Sequence, residues 1–177
     1  MAKIDQDCPV IEDAALERPI VAKQIELSRG KVAIVDADDY RHTSEHKWSF
    51  THYGYAVSWI GGRMVLMHRW LLGANDSQEV DHVNMDRLDN RRENIRVCTR
   101  SQNIANRNAP VNNTSGFKGV TWDKPHKMYR AQMAHVFLGL FADPAEAARA
   151  YDVAAKEHFG EFARLNSDGA VTTNNEP

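Results

Sequence analysis

Short stretches of alternating hydrophobic and polar residues run through the first half of the chain, and this spacing is typical of β-strands that bury one face. Within residues 21–80 the predicted strands are Ile25–Leu27, Lys31–Asp36 and Tyr53–Ile60. A turn at Arg29–Gly30 separates the first two, and a turn at Gly61–Gly62 follows the third. With a short helix expected at Met67–Leu72, this region is predicted to be a small α+β unit.

Residues 80–107 are predicted to form a strand, a long loop, a second strand and a helix. The strands are Val80–Val83 and Ile95–Cys98, and the segment between them is rich in asparagine and aspartate, which favours an ordered loop. Thr99 is a good N-cap, and Gln102 three positions later completes a capping box, so a helix should begin there.

The last third of the chain is predicted to fold as three strands followed by one helix. The strands are Phe117–Trp122, Met128–Ala134 and Val136–Phe141. The helix begins with Asp143 as its N-cap and Pro144 at its first position, and it ends at Gly160. Its many alanines indicate close packing against the sheet.

Five segments follow from this pattern. They are a loose N-terminal arm (1–20), an α+β region (21–107) whose last part (80–107) holds the candidate chemistry, a linker (108–114), the strand–helix unit (115–166) and a disordered tail (167–177). The longest apolar run, Met64–Met67, is far too short to span a bilayer, and the N-terminus lacks the apolar core of a signal peptide. An intracellular protein without a membrane partner is therefore expected.

The formal net charge of −2 says nothing about partners, but the distribution of charged residues along the chain is informative. Residues 81–109 carry six arginines against four acidic side chains, and residues 114–135 carry four basic side chains against one acidic. A local positive excess allows a polyanion to dock. The two cysteines, Cys8 and Cys98, form no Cys-x-x-Cys pair, which excludes a structural zinc knuckle on spacing.

A candidate centre for phosphodiester hydrolysis lies in residues 80–107. The reaction needs a water nucleophile, a base and positive charge at the leaving oxygen. Asp81 and His82 place a hard oxygen ligand beside an imidazole on one strand. Asn94 opens the returning strand, and Asn103 lies one turn into the helix. A carboxylate and an amide oxygen leave most of a Mg²⁺ shell to water and phosphate, as that ion prefers.

This order of residues resembles the HNH nuclease family over residues 68–107. The motifs that carry the resemblance are Met67–His68–Arg69, Val80–Asp81–His82–Val83–Asn84, Leu88–Asp89–Asn90–Arg91, Glu93–Asn94–Ile95–Arg96–Val97 and Ser101–Gln102–Asn103. The similarity is greatest to the branch of phage and intron-encoded homing enzymes in which Asn replaces the last His of the family name. The resemblance implies an α+β protein with a ββα-metal (His-Me finger) nuclease core.

The same resemblance implies roles for the four centre residues. His82 would be the general base, and Asn94 would brace the loop and orient it. Asp81 and Asn103 would hold one divalent ion, Mg²⁺ or Mn²⁺, which stabilises the developing 3′ oxyanion and leaves products with a 3′ hydroxyl and a 5′ phosphate. Five arginines of this segment are expected to contact DNA: Arg91, Arg92, Arg96, Arg100 and Arg107.

Other polar residues of the segment have simpler interpretations. An Asp-His pair taken alone is usually an accident of the surface, and it gains meaning here from the asparagines in register with it. Asn84 and Asn90 are expected to be turn residues. His68 matches the family but has no obvious chemical task.

Residues 115–166 resemble an AP2 domain, a three-stranded antiparallel sheet packed on one helix that occurs in plant transcription factors and phage nucleases. The matching motifs are Ser115–Gly116–Phe117–Lys118–Gly119–Val120, Tyr129–Arg130–Ala131–Gln132, Leu138–Gly139–Leu140–Phe141, Ala145–Glu146–Ala147–Ala148–Arg149–Ala150–Tyr151–Asp152 and Gly160–Glu161–Phe162–Ala163–Arg164–Leu165–Asn166. By the resemblance the sheet lies in the major groove of DNA. The candidate DNA contacts are Lys118, Trp122, Lys124, Tyr129, Arg130 and Gln132.

Two features of this unit qualify the resemblance. Trp122 and Tyr129 have packing on the sheet as an equal alternative to DNA contact. Between Gln132 and Leu138 only five residues remain, so the second hairpin should be tighter and more apolar than is usual for the family.

The sequence therefore predicts a metal-dependent endonuclease of the HNH homing type that cuts double-stranded DNA, from a phage- or bacterium-like source. The alternative is a DNA-binding regulator built on a catalytically inactive HNH fold. An RNA-directed nuclease or a structural protein ranks behind both, because a groove-reading sheet suits B-form DNA better than RNA. The oligomeric state stays open, with a monomer compatible.

Overall fold

The computed structural model describes residues 21–168. In chain order its elements are β1 (Ala22–Glu26), β2 (Val32–Asp36), α1 (Ala37–Ser44), β3 (Ser49–Phe50), β4 (Ala56–Ile60), β5 (Arg63–Leu66), α2 (Met67–Leu71), β6 (Glu79–His82), β7 (Ile95–Cys98), α3 (Arg100–Ala105), β8 (Val120–Asp123), β9 (Met128–Met133), β10 (Val136–Phe141) and α4 (Pro144–Phe159). Single 3-10 turns lie at Ser28–Gly30, Gly160–Phe162 and Asn166–Asp168.

The strands of the described part of the chain pair antiparallel in four small sheets. These sheets are β1–β2, β3–β4–β5, β6–β7 and β8–β9–β10, the last with β9 in the centre. Helices and small antiparallel sheets together confirm the predicted α+β class. No helix in residues 21–168 is both long and apolar enough to cross a membrane.

Residues 21–72 form the scaffold on which the β6–β7 hairpin rests. Val80 and Ile95 from the hairpin pack into the same buried cluster as Val35, Trp48 and Met67. The long loop of the hairpin is also tied to β2 through its backbone, because the Ile34 N–H donates to the carbonyl of Leu88 at 2.8 Å. The N-terminal region, whose task the sequence leaves open, thus fixes the hairpin in place.

The unit formed by β8–β10 and α4 has a core of small side chains. Ala131 on β9 and Ala147 on α4 are both completely buried, and Tyr151 one turn further along α4 is also buried. This arrangement confirms that the alanine-rich face of the helix packs closely on the sheet. The second hairpin is as tight as predicted, since Val136 pairs directly with Met133.

Local signals place the starts of α3 and α4 correctly, but helix α1, the short strands β3 and β5, and residues 167–168 differ from the prediction. Helix α1 was not predicted because its inner face is polar, with Asp39 and Thr43 buried. The predicted arm and residues 169–177 of the predicted tail lie outside the described residues. Ser167 and Asp168, which the prediction assigned to a disordered tail, lie in the turn Asn166–Asp168, because the Asp152 carboxylate accepts hydrogen bonds from the N–H groups of Asn166 and Ser167.

A substitution at Gly119 should unfold the C-terminal unit more readily than one at Gly116. Both residues have positive φ, 74° and 78°, so alanine at either position costs about 1–2 kcal/mol of backbone strain. At Gly119 a Cβ would also lie 2.0 Å from a ring carbon of the buried Tyr151, whereas at Gly116 it meets open space. We expect Gly119→Ala to lower the free energy of unfolding by about 2–5 kcal/mol.

Urea denaturation of Gly119→Ala, with Gly116→Ala as the matched control, measures this difference directly. Equal losses in the two variants would contradict the close approach of Gly119 to Tyr151.

Candidate active site

A cleft of about 380 Å³ opens between β6, the loop that follows it, and α3. Three of the four predicted centre residues line it: Asp81, His82 and Asn103. The remaining lining residues are Tyr55, Val80, Met85, Arg87, Asn106 and Arg107. The capping box of Thr99 and Gln102, present as predicted, starts α3 at the position that carries Asn103 to this cleft.

His82 is held from several sides. The His82 residue is only 5% exposed. Its Nε2 lies 3.4 Å from Oδ1 of Asn90, and the Asn90 residue is fully buried. Asn106 donates from its amide to the His82 carbonyl at 2.8 Å, which fixes the end of β6. Burial lowers the pKa of His82, and the contact with Asn90 opposes this only in part. The imidazole is therefore kept neutral, the state in which it can accept a proton.

Asn94 ties the two ends of the long loop together. Its Oδ1 accepts from the N–H of Asn84 at 2.9 Å, and its Nδ2 donates to the carbonyl of Asp89 at 2.7 Å. The Asn94 carbonyl also accepts from the N–H of Val83, next to His82, at 2.8 Å. Asn94 is thus placed to act on His82 through the backbone rather than by a side-chain contact.

Asp81 and Asn103 offer oxygen atoms of the kind that Mg²⁺ prefers. Asp81 uses Oδ2 to pair with Nη2 of Arg96 at 3.3 Å, and its Oδ1 makes no hydrogen bond within residues 21–168. Asn103 donates from Nδ2 to Oε2 of Glu79 at 2.6 Å, so its Oδ1 is left for another partner. One carboxylate oxygen and one amide oxygen fit an ion that retains most of its water shell.

Within residues 21–168 no group of three or more His, Cys, Asp or Glu side chains is arranged to hold a metal ion. The cleft offers instead the carboxylate of Asp81 and the amide oxygen of Asn103, which are hard oxygen donors. Soft or structural metals such as zinc require more nitrogen and sulfur ligands than this cleft supplies.

Three of the five arginines predicted to contact DNA are engaged inside the protein. Arg91 pairs with Asp89 at 2.8 Å and Arg92 pairs with Asp39 at 2.8 Å. Arg96, besides its contact with Asp81, donates to the Glu161 carbonyl at 2.9 Å and stacks 4.0 Å from the Phe162 ring. The other two, Arg100 and Arg107, are exposed.

The side chains of the C-terminal unit that are predicted to contact DNA also differ in whether other residues of the protein engage them. Lys118 donates from Nζ to the Ala105 carbonyl, and burial lowers its pKa to about 8. Trp122 and Tyr129 stack edge to face with centroids 4.9 Å apart, and Tyr129 packs against the core of the unit. Lys124 is exposed, Arg130 lies 5.2 Å from the Phe137 ring, and Gln132 donates to the Ala134 carbonyl.

Several residues that line the cleft or contact its side chains were not predicted from the sequence. Glu79 lies two positions before Asp81 on a strand, and Asn106 lies one helical turn after Asn103, so the strand and helix periods could have indicated both. Tyr55 comes from a distant part of the chain, whereas Arg87 lies in the loop of the hairpin itself, and neither carries a local signal for the cleft.

His68 forms part of the wall behind His82, with ring centroids 4.8 Å apart. Burial is the largest cause that lowers the pKa of His68, to about 3 from an ordinary value of 6.5, and the neighbouring His82 adds to it. The unfolded chain therefore takes up a proton between about pH 6.5 and pH 3 that the folded chain excludes. Stability from this source is complete above pH 6.5 and is lost as the pH falls toward 3.

We expect His68→Gln to make the free energy of unfolding less sensitive to acid. Between pH 6 and pH 4 the parent should lose up to about 1.4 kcal/mol per pH unit through this one residue, and the variant should lack that slope. Urea denaturation at several pH values measures it, with the exposed His135→Gln as the control. Parallel slopes in parent and His68→Gln would contradict the assignment.

Comparison with known proteins places this geometry in a family. The sequence profile of the HNH endonuclease family matches residues 73–105, which contain β6, β7 and α3. An uncharacterised HNH endonuclease of Acanthamoeba polyphaga mimivirus is 31% identical over 148 residues, 79% of this chain and 78% of that protein. Protein 3.8 of Escherichia phage T7 is 35% identical over 51 residues, 29% of this chain and 42% of that protein. No solved structure matches the chain significantly.

The family profile and the mimivirus relative together show that the chain belongs to the HNH endonuclease family. The enzyme class predicted from its sequence, a nuclease that cleaves DNA, is confirmed.

Proposed function

We propose that this chain is a metal-dependent endonuclease of the homing type that hydrolyses phosphodiester bonds in duplex DNA. The observation that carries the proposal is the convergence of Asp81, His82 and Asn103 on one cleft. A base, a carboxylate and an amide oxygen are the groups that the reaction requires from the protein.

His82 is the proposed general base. An Nε2–H that donates to Oδ1 of Asn90 leaves the lone pair of Nδ1 to accept the proton of the attacking water. Asn106 and Asn94 both hold the peptide bond between His82 and Val83, which fixes the backbone on the C-terminal side of His82, and Asn90 holds the ring. Asn94 is a positioning residue in this mechanism.

Asp81 and Asn103 are the proposed ligands of one divalent ion, Mg²⁺ or Mn²⁺. Glu79 binds the amide nitrogen of Asn103 and thereby turns the amide oxygen toward the ligand position. When bound, such an ion supplies positive charge to the scissile phosphate and to the leaving 3′ oxygen.

The unit of β8–β10 and α4 is proposed to be an AP2-like module that adds DNA affinity and site preference. Its support is a three-stranded antiparallel sheet backed by one helix, with Trp122 46% exposed and Lys124 exposed. The side chains of Arg130 and Gln132 are partly buried, and they are the proposed base-reading residues. Two weak modules on one chain raise effective concentration without new contacts.

Incubation of supercoiled plasmid with the full chain and Mg²⁺ or Mn²⁺ tests the proposed function. We expect relaxed or linear products that disappear with a chelator, and end mapping should show 3′ hydroxyl and 5′ phosphate termini. Binding of the plasmid without strand scission in either metal would instead favour a DNA-binding regulator with an inactive nuclease fold.

A further inference from the structure

The arginines near the cleft divide into paired and unpaired groups. Arg91, Arg92 and Arg96 each bind an aspartate at 3.3 Å or less. Arg87 and Arg107 line the cleft, are exposed, and form no ion pair with an acidic side chain of residues 21–168. Of these two, Arg87 was counted in the local positive excess but was not named among the predicted DNA contacts.

The guanidinium of Arg87 is held in place without being neutralised. Its Nη1 donates to the Tyr53 carbonyl at 2.6 Å, and its central carbon lies 4.9 Å from the centroid of the Tyr55 ring. Most of its five N–H donors therefore remain available to bind a ligand. A guanidinium that is fixed, charged and next to the proposed hydrolytic centre has the properties needed to bind a phosphate.

The turn that holds Arg87 is itself rigid. The N–H of Thr51 donates to the Tyr55 carbonyl at 2.9 Å, and the N–H of Gly54 donates to the Thr51 carbonyl at 3.0 Å. Gly54 has φ 87°, and a Cβ there would lie 3.5 Å from Cδ of Arg87. The turn and the arginine thus pack as one surface.

Tyr53 presents an aromatic ring from this turn to the solvent. The residue is 65% exposed, and its ring is supported by the ring of His52 at a centroid distance of 3.6 Å. Because Arg87 binds the Tyr53 carbonyl, this ring and a guanidinium without an acidic partner belong to one turn. An aromatic ring can pack against a nucleotide while a guanidinium binds its phosphate.

We propose that the turn of residues 51–55 and Arg87 form a rim that binds the DNA strand next to the scissile phosphate. Arg87 binds a backbone phosphate, and Tyr53 packs against the sugar or base of the adjacent nucleotide. This proposal rests on the proposed function of the cleft, and it gives the N-terminal region a direct part in substrate binding.

The test measures DNA binding in a His82→Ala background, by fluorescence polarisation with a labelled duplex of mixed sequence at several salt concentrations. Arg87→Gln should weaken binding by about 3- to 10-fold and reduce the slope of log affinity against log salt by about 0.9. Tyr53→Ala should weaken binding by about fivefold or more with the salt slope unchanged. Arg63→Gln, an exposed arginine that does not line the cleft, should leave affinity within about twofold of the parent.

Conservative variants distinguish the loss of a DNA contact from a loss of folding. Arg87→Lys should keep the salt slope, and Tyr53→Phe should keep the affinity. The rim is wrong if Arg87→Gln and Tyr53→Ala, with melting temperatures near that of the parent, bind as the Arg63→Gln control does, or if the conservative variants lose as much as the disruptive ones. Plasmid cleavage by the unmodified chain is measured in parallel, so failure of the proposed function would appear there and not in the binding series.

Discussion

Replacing His82 by alanine is expected to lower the rate of DNA cleavage by about 10²- to 10⁴-fold while DNA affinity stays near that of the parent. The loss follows because the cleft then lacks its neutral imidazole, and water must lose its proton unassisted. Single-turnover cleavage of plasmid gives the rate, and fluorescence polarisation gives the affinity. The exposed His135→Ala serves as the control and should cut like the parent.

The pH dependence of cleavage gives His82 a second signature. Burial lowers the pKa of this imidazole from its ordinary value of 6.5, so the base stays neutral at pH values where an exposed histidine is charged. We expect the acidic limb of the kcat/KM profile to lie below pH 6.5 and to be absent from the residual activity of His82→Ala. A parental rate in His82→Ala at every pH would show that another group is the base.

Replacing Asp81 by asparagine is expected to weaken binding of Mn²⁺ by at least about 10- to 100-fold and to abolish most cleavage. The change keeps the shape of the side chain but removes the negative charge that faces the cleft. Asn103→Ala should weaken the same binding, and high metal concentration should restore part of its cleavage rate. Electron paramagnetic resonance of free Mn²⁺ reports binding independently of activity.

Asp86→Asn is the matched control for the metal experiment. Asp86 is an exposed carboxylate of the loop that follows β6, and the amide that replaces it can still accept from the N–H of Leu88. Equal Mn²⁺ affinities in Asp81→Asn, Asp86→Asn and the parent would contradict the proposed ligand set.

Local chemistry explains why much of the fold could be predicted. A capping box starts α3, and an aspartate N-cap followed by proline starts α4, so both helices begin where the sequence indicates. The strands of the β6–β7 hairpin are short runs rich in apolar and β-branched residues, and a loop of turn residues separates them. These signals span a few residues, which is the distance over which sequence patterns are informative.

The parts that could not be predicted depend on residues far apart in the chain. Helix α1 has a polar inner face that is stabilised by Arg92, whose guanidinium binds Asp39 from 53 positions away. Arg96, one of the arginines predicted to contact DNA, pairs with Asp81 across the hairpin and donates to the segment around Glu161, and no local pattern indicates these partners. A charge count gives the excess of arginine but not which guanidinium groups remain free.

The residues of the candidate site also divide into those that a local sequence pattern indicates and those that only the fold brings to the site. Asp81, His82 and Asn103 are recognisable by spacing, because one strand and one helix carry them. His68 and Tyr55 reach the site through the packing of the N-terminal region, and no pattern within 80–107 indicates that they stand behind His82.

Crystals of the His82→Ala chain with a DNA duplex, soaked in Mn²⁺, test the proposed centre most directly. We predict one anomalous peak at the cleft, within coordination distance of a carboxylate oxygen of Asp81 and the amide oxygen of Asn103. A peak that touches neither side chain, or two ions bound separately by them, would contradict a single metal site shared by β6 and α3.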